Sequence, residues 1–116
     1  PQSRRVHSLA AVSERFSTVL SSVDVIMTKP GYGTTIEAVT VQTPVVYVRR
    51  GNFADEPPLV DYLHRYGIGI ELPLGDFMQG HWEQALRQAL AAPKPATPPP
   101  PPSGAAEAAA ILAAHF

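Results

Sequence analysis

Residues 23–38 read Val23-Asp24-Val25-Ile26-Met27-Thr28-Lys29-Pro30-Gly31-Tyr32-Gly33-Thr34-Thr35-Ile36-Glu37-Ala38. The apolar, β-branched run over 24–28 predicts a buried strand. Pro30 stops it, because proline has no amide to donate and biases its neighbour away from helix. Gly33, Thr34 and Thr35 then open a helix predicted over 33–42, with Ile36, Val39 and Ala38 as its inner face. The strand, the glycine turn and the helix start set the fold class.

The pattern repeats downstream. Val45-Val46-Tyr47-Val48 is apolar without polar alternation, as in a strand covered on both faces. A loop from Arg49 to Pro58 leads into a helix over 56–66. Leu59, Leu63 and Tyr66 lie on one face, Val60 and Tyr62 near its edges, and Gly67 follows as the C′ residue. Ile68-Gly69-Ile70-Glu71-Leu72 reads as a third strand, and 80–91 as a helix with Trp82, Ala85, Leu86, Ala89 and Leu90 inward.

Upstream, apolar residues at 9, 12, 16, 19, 20 and 23 have helical spacing, and Ser8 is the expected N-cap. Helices alternating with fully apolar strands predict an α/β fold: a Rossmann-like three-layer αβα with a short parallel sheet. That domain spans 1–92. A linker over 93–103 follows, extended because 93–102 holds seven prolines. The alanine-rich stretch 104–116 is strongly helix-prone and is expected to pack back on the domain through Ile111, Leu112 and Phe116.

Composition narrows the function classes. The 116 residues are 45% hydrophobic and 16% charged, enough apolar content to bury one core. A formal net charge of -1 provides no basic field for nucleic acid. No apolar run approaches the roughly 20 residues that span a bilayer, so deep membrane insertion is not expected. With no signal-peptide pattern either, a cytoplasmic location is. There are no cysteines, and the four histidines lack metal-ligand spacing. No metal or other cofactor is expected. The chain opens with Pro1 rather than Met, so a piece of a larger protein is expected. Such a unit can leave a once-covered face exposed, which opens a route to self-association.

The chemistry-bearing segment is Lys29 to Glu37. Ligands of open parallel sheets sit beyond the carboxyl ends of the strands. Gly31 and Gly33 let backbone approach a ligand, and the first amides of a helix have no partners inside it. Those amides and the helix dipole favour an anion such as a diphosphate. The hydroxyls of Thr34 and Thr35 and the charge of Lys29 add to that. Glu37 can accept hydrogen bonds from a ribose diol, or can simply complement the dipole. The spacing itself is neither Gly-x-Gly-x-x-Gly, since Ile36 holds the third place, nor a loop ending in Gly-Lys-Ser/Thr. By spacing alone it is equally a tight turn. Arg49 and Arg50 can clamp phosphate or be solvated.

The stretch 23–38, continuing through Val41-Gln42-Thr43-Pro44-Val45-Val46-Tyr47-Val48, resembles the donor-site signature of GT-B glycosyltransferases. It resembles the C-terminal domain of the group that includes the peptidoglycan N-acetylglucosaminyltransferase, and also glycosyltransferase-like proteins that share the Lys29-Pro30-Gly31-Tyr32-Gly33-Thr34 motif. The resemblance covers about residues 15–92 and the Gly104-Ala105-Ala106-Glu107-Ala108-Ala109 helix. It implies the C-terminal half of a GT-B enzyme that transfers a hexosyl group from a nucleotide-sugar, UDP-linked by preference. Lys29, Gly31, Gly33, Thr34 and Thr35 would then hold the diphosphate, and Glu37 the ribose. Arg49, Asp55 and Glu56 would lie in the donor loop, although Glu56 stands where the family commonly has Gln. Lys29-Pro30 likewise replaces a more familiar His or Arg. The acceptor and any catalytic base would sit on a separate N-terminal domain absent from these residues, so no catalytic residue is assigned.

Two rival readings remain. One is a nucleotide-sugar epimerase of the same fold, which needs acid and base residues not evident here. The other is a non-catalytic interaction module with a structural glycine turn. Because the acceptor side is missing, the chain alone is expected to transfer no sugar. Product formation from nucleotide-sugars in a turnover assay would overturn that division of labour.

Overall fold

The structure, a computed structural model, describes residues 5–11 and 13–116. Its centre is a parallel sheet of three short strands: β1 (Ile26–Thr28), β2 (Val45–Tyr47) and β3 (Gly69–Glu71), in the order β1-β2-β3. Ile26 pairs with Val45 and Val45 with Gly69; Thr28 pairs with Tyr47 and Tyr47 with Glu71. Parallel neighbours need long crossovers. These are α2 (Tyr32–Val41) between β1 and β2, and α3 (Glu56–Tyr66) between β2 and β3.

Alternation along β2 divides the core. Val45 and Tyr47 face one way, packed with Leu20 of α1 (Phe16–Ser22), Ala38 and Val39 of α2, and Val60 and Leu63 of α3. Val46 faces the other way, against Leu72 and against Ala85 and Ala89 of α5 (Glu83–Ala91). Phe77 of the short α4 (Leu74–Gln79) joins this second layer. The result is a Rossmann-like αβα sandwich. Among the described residues, no helix is long and apolar enough to cross a membrane.

Several expectations shift. The first helix is split into a 3-10 turn at Leu9–Ala11 and α1, and only Leu20 of α1 is fully buried. Ser8 accepts a hydrogen bond from the Ala10 amide at the turn instead of capping a long helix. Val12 lies outside the described residues. The inner face of α2 is Thr35, Ala38 and Val39; Ile36 points sideways, where it lines a cleft with Thr40, Tyr62 and Pro99–Pro102. Helix α4 is unexpected, since its six residues include Gly75 and too few apolar positions to show a period. It ends at Gly80, whose φ of 76° delays α5 until Glu83. Trp82 therefore stacks on Phe77 at the surface and donates its indole N–H to the Phe77 carbonyl, while Leu90 is exposed.

Residues 92–103 carry no helix or strand, and α6 (Gly104–His115) is exposed along its whole length rather than packed on the sheet.

Gly67 ends α3 at φ -129°, extended rather than left-handed, so close packing is what calls for glycine there and at Gly69. A Cβ on Gly69 would stand 2.8 Å from both Cγ and Cδ2 of buried Leu63. Overpacking of this kind costs about 1–3 kcal/mol. Gly69→Ala is therefore expected to lower the urea midpoint; unchanged stability would show that Leu63 has room to yield.

Candidate functional site

Because the strands are parallel, the loops after β1, β2 and β3 emerge at one edge of the sheet. The first is Lys29-Pro30-Gly31, leading into α2. The predicted turn thus stands at the carboxyl end of a strand, as the ligand argument requires.

At the start of α2 the first intrahelical bond runs from the Thr35 amide to the Gly31 carbonyl, at 3.0 Å. The amides of Tyr32, Gly33 and Thr34 precede it and have no acceptor in the helix, and Gly31 as N-cap supplies no side chain. Neither Gly31 nor Gly33 has positive φ, and a Cβ on either would meet nothing within 4 Å. Nothing inside the fold therefore demands glycine at these two places. What their missing side chains keep clear is the space outside the amides.

Other predicted residues separate into two sets. Lys29 is exposed beside this corner and Thr34 is half-buried in it. Glu37 is exposed one turn along α2, and its carboxylate has no hydrogen-bond or ion-pair partner among the described residues. Thr35 does not reach the corner. Its side chain is buried, its hydroxyl has no partner among the described residues, and its amide is already used.

The loop after β2 differs more from expectation. Asp55 is exposed at the N-cap of α3. Glu56, the first residue of α3, is turned inward with 3% of its surface exposed, so its carboxylate does not face the open corner. It accepts the Arg50 amide at 2.9 Å and lies 3.6 Å from Arg49 Nε. Pro57 and Pro58 follow in the first helical turn, where amides are unpaired anyway. Arg49 also approaches Glu71, at 3.7 Å. The Arg50 guanidinium donates to the Pro30 carbonyl at 3.0 Å and covers the Phe53 ring.

A cavity of about 450 Å³ adjoins the corner, with Met27, Val48, Leu74 and Phe77 as its apolar wall and Lys29, Arg49 and Arg50 at its rim. Sequence reasoning missed that wall because it lacked α4. A larger depression, about 830 Å³, lies around His81, Trp82 and Arg87. It is lined by exposed side chains, and Arg87 there is already paired with Glu83. We regard the smaller one as the chemically equipped site. Among the described residues, no cluster of three His, Cys, Asp or Glu could hold a metal.

One further pair joins β2 to α3. The buried Tyr47 hydroxyl lies 2.7 Å from His64 Nε2. Burial raises the phenol's pKa, with Glu71 and Glu56 adding to the effect and Arg49 opposing it, so Tyr47 stays neutral near pH 7.

Fold and corner together describe a Rossmann-like α/β unit with an open helix start, next to a cavity lined in part by Lys29, Arg49 and Arg50. L-arabinokinase of Arabidopsis thaliana is 36% identical to this chain over 73 residues, which are 63% of the chain and 7% of that protein. The chain thus corresponds to a small part of that relative's length. No family model and no solved structure matches.

Gly33→Ala isolates the corner. An alanine in the first turn of α2 meets no neighbour, and it gains about 0.5–1 kcal/mol of helix preference over glycine at most. Thermal stability is expected to hold or rise while affinity for a diphosphate-bearing ligand falls. Equal affinity in wild type and variant would remove the corner from the site.

Proposed function

We propose that this chain is the donor-binding portion of a glycosyltransferase that transfers a hexosyl group from a nucleotide-sugar, UDP-linked by preference. The observation that carries the reading is the open start of α2, with three unpaired amides under two glycines that no internal packing requires. A diphosphate placed there meets backbone donors, the positive end of the helix dipole and Lys29. As the glycosidic bond breaks, the charge growing on the leaving diphosphate is held by donors already in place, so the barrier falls without a proton transfer at that end. Glu37, exposed and unpaired, is available to the ribose diol. The acceptor and any base belong to a separate domain, and a cytoplasmic location is part of the same proposal.

A second reading draws on the similarity to L-arabinokinase. There the chain is a segment of a sugar kinase, and the same amides face the phosphates of ATP. The two share a polyphosphate at the corner and differ in nucleotide.

Titration of ¹⁵N-labelled chain with UDP, UDP-hexoses, GDP, ADP, ATP and pyrophosphate separates them. Saturable shifts at Gly31 to Glu37, strongest for UDP compounds, are the expected outcome. A preference for ATP and ADP moves the assignment to the kinase reading. Silence with every ligand sinks both.

A further inference from the structure

The corner is only as well formed as the loop that carries it, and that loop is held from across the sheet. We infer that Arg50, seated by buried Glu56, is a positioning residue that fixes Lys29-Pro30-Gly31 so that the first amides of α2 face outward together; the inference rests on the polyphosphate reading of that corner.

The tie can be followed atom by atom. Glu56 is anchored at the first position of α3, and its buried carboxylate accepts the Arg50 amide at 2.9 Å. That bond sets the backbone from which the Arg50 side chain departs. The guanidinium lies 4.2 Å from the centre of the Phe53 ring, which restricts its rotation. It then donates to the Pro30 carbonyl at 3.0 Å. Pro30 is buried and directly precedes Gly31, the N-cap of α2. Two loops that leave neighbouring strands are thereby laced into one surface.

The same tie resolves the charge problem posed by a glutamate beside an anion site. Glu56 is covered, and Arg49 stands 3.6 Å from its other oxygen. Its negative charge is spent on the loop rather than presented to a ligand. The nearer groups at the rim are Lys29, Arg49 and Arg50. Arg50 acts here chiefly through Pro30, because its guanidinium is already engaged.

The test uses the 116-residue chain as wild type, Arg50→Ala, Arg50→Lys and Glu56→Gln, by ¹⁵N NMR with and without UDP. Arg50→Ala is expected to shift the amide resonances of Gly31 to Thr34 with no ligand present. It should also weaken UDP binding about tenfold, the order of one charge-assisted hydrogen bond. Arg50→Lys, which keeps charge and reach, should recover most of that loss. Glu56→Gln keeps an acceptor for the Arg50 amide and should stay within about threefold of wild type. Unmoved ligand-free resonances in Arg50→Ala overturn the tie. Moved resonances with unchanged UDP affinity overturn its role in binding. If wild type binds no polyphosphate, the proposed function fails, and the inference fails with it even where the ligand-free shifts are seen.

Discussion

The fold depends on burying β2 on both faces. Each strand is three residues long, too short for backbone pairing alone to hold a sheet. Val45, Val46 and Tyr47 are almost wholly enclosed, and their alternate orientation assigns α1, α2 and α3 to one layer and α5 to the other. Glycines 67 and 69 let α3 and β3 close on this strand without a Cβ in the way. With β2 fixed, its neighbours have one register available, and all three loops are delivered to the same rim.

At that rim, polar groups replace hydrophobic contact as the organising force. A carboxylate as enclosed as that of Glu56 is costly unless it is paired and hydrogen-bonded. The backbone of Arg50 and the side chain of Arg49 meet that demand. In doing so they hold the β2 loop in the one shape from which Arg50 reaches Pro30. A residue that resembled a ligand contact in the sequence acts instead as internal scaffolding. The cations it organises are left bordering a cavity with an apolar wall.

The strands, the long helices and the glycine turn were readable because each has a strong periodic or steric cause. Val45 to Tyr47 is apolar without interruption, and Pro30, Pro44 and Gly67 punctuate sharply. Three things were not readable. The rotation of α2 buries Thr35 in place of Ile36, since the helix begins one residue early and both positions are compatible with an amphipathic pattern. Helix α4 lies below the length at which a period can be seen. The inward turn of Glu56 onto Arg49 and the Arg50 amide of its own loop leaves no periodic trace, and no local rule links residue 50 to residue 30. For the candidate site, the resemblance pointed to the turn after β1, but geometry alone divided Gly31, Gly33 and Thr34, which border open space, from Thr35 and Glu56, which do not.

The tail touches the sandwich mainly through its proline tract, which lines a cleft with Ile36, Thr40 and Tyr62. Helix α6 is twelve residues of mostly alanine, joined by an extended proline tract and touching so little that none of its residues is buried. Helices of that length are marginal in water and owe their persistence to backbone preference alone. Melting α6 would expose almost no new apolar area, so it would add little to the heat capacity change of unfolding. Its helicity should fade gradually on warming while the sandwich still unfolds in one sharp step, and far-ultraviolet ellipticity would report the sum of two unlinked transitions.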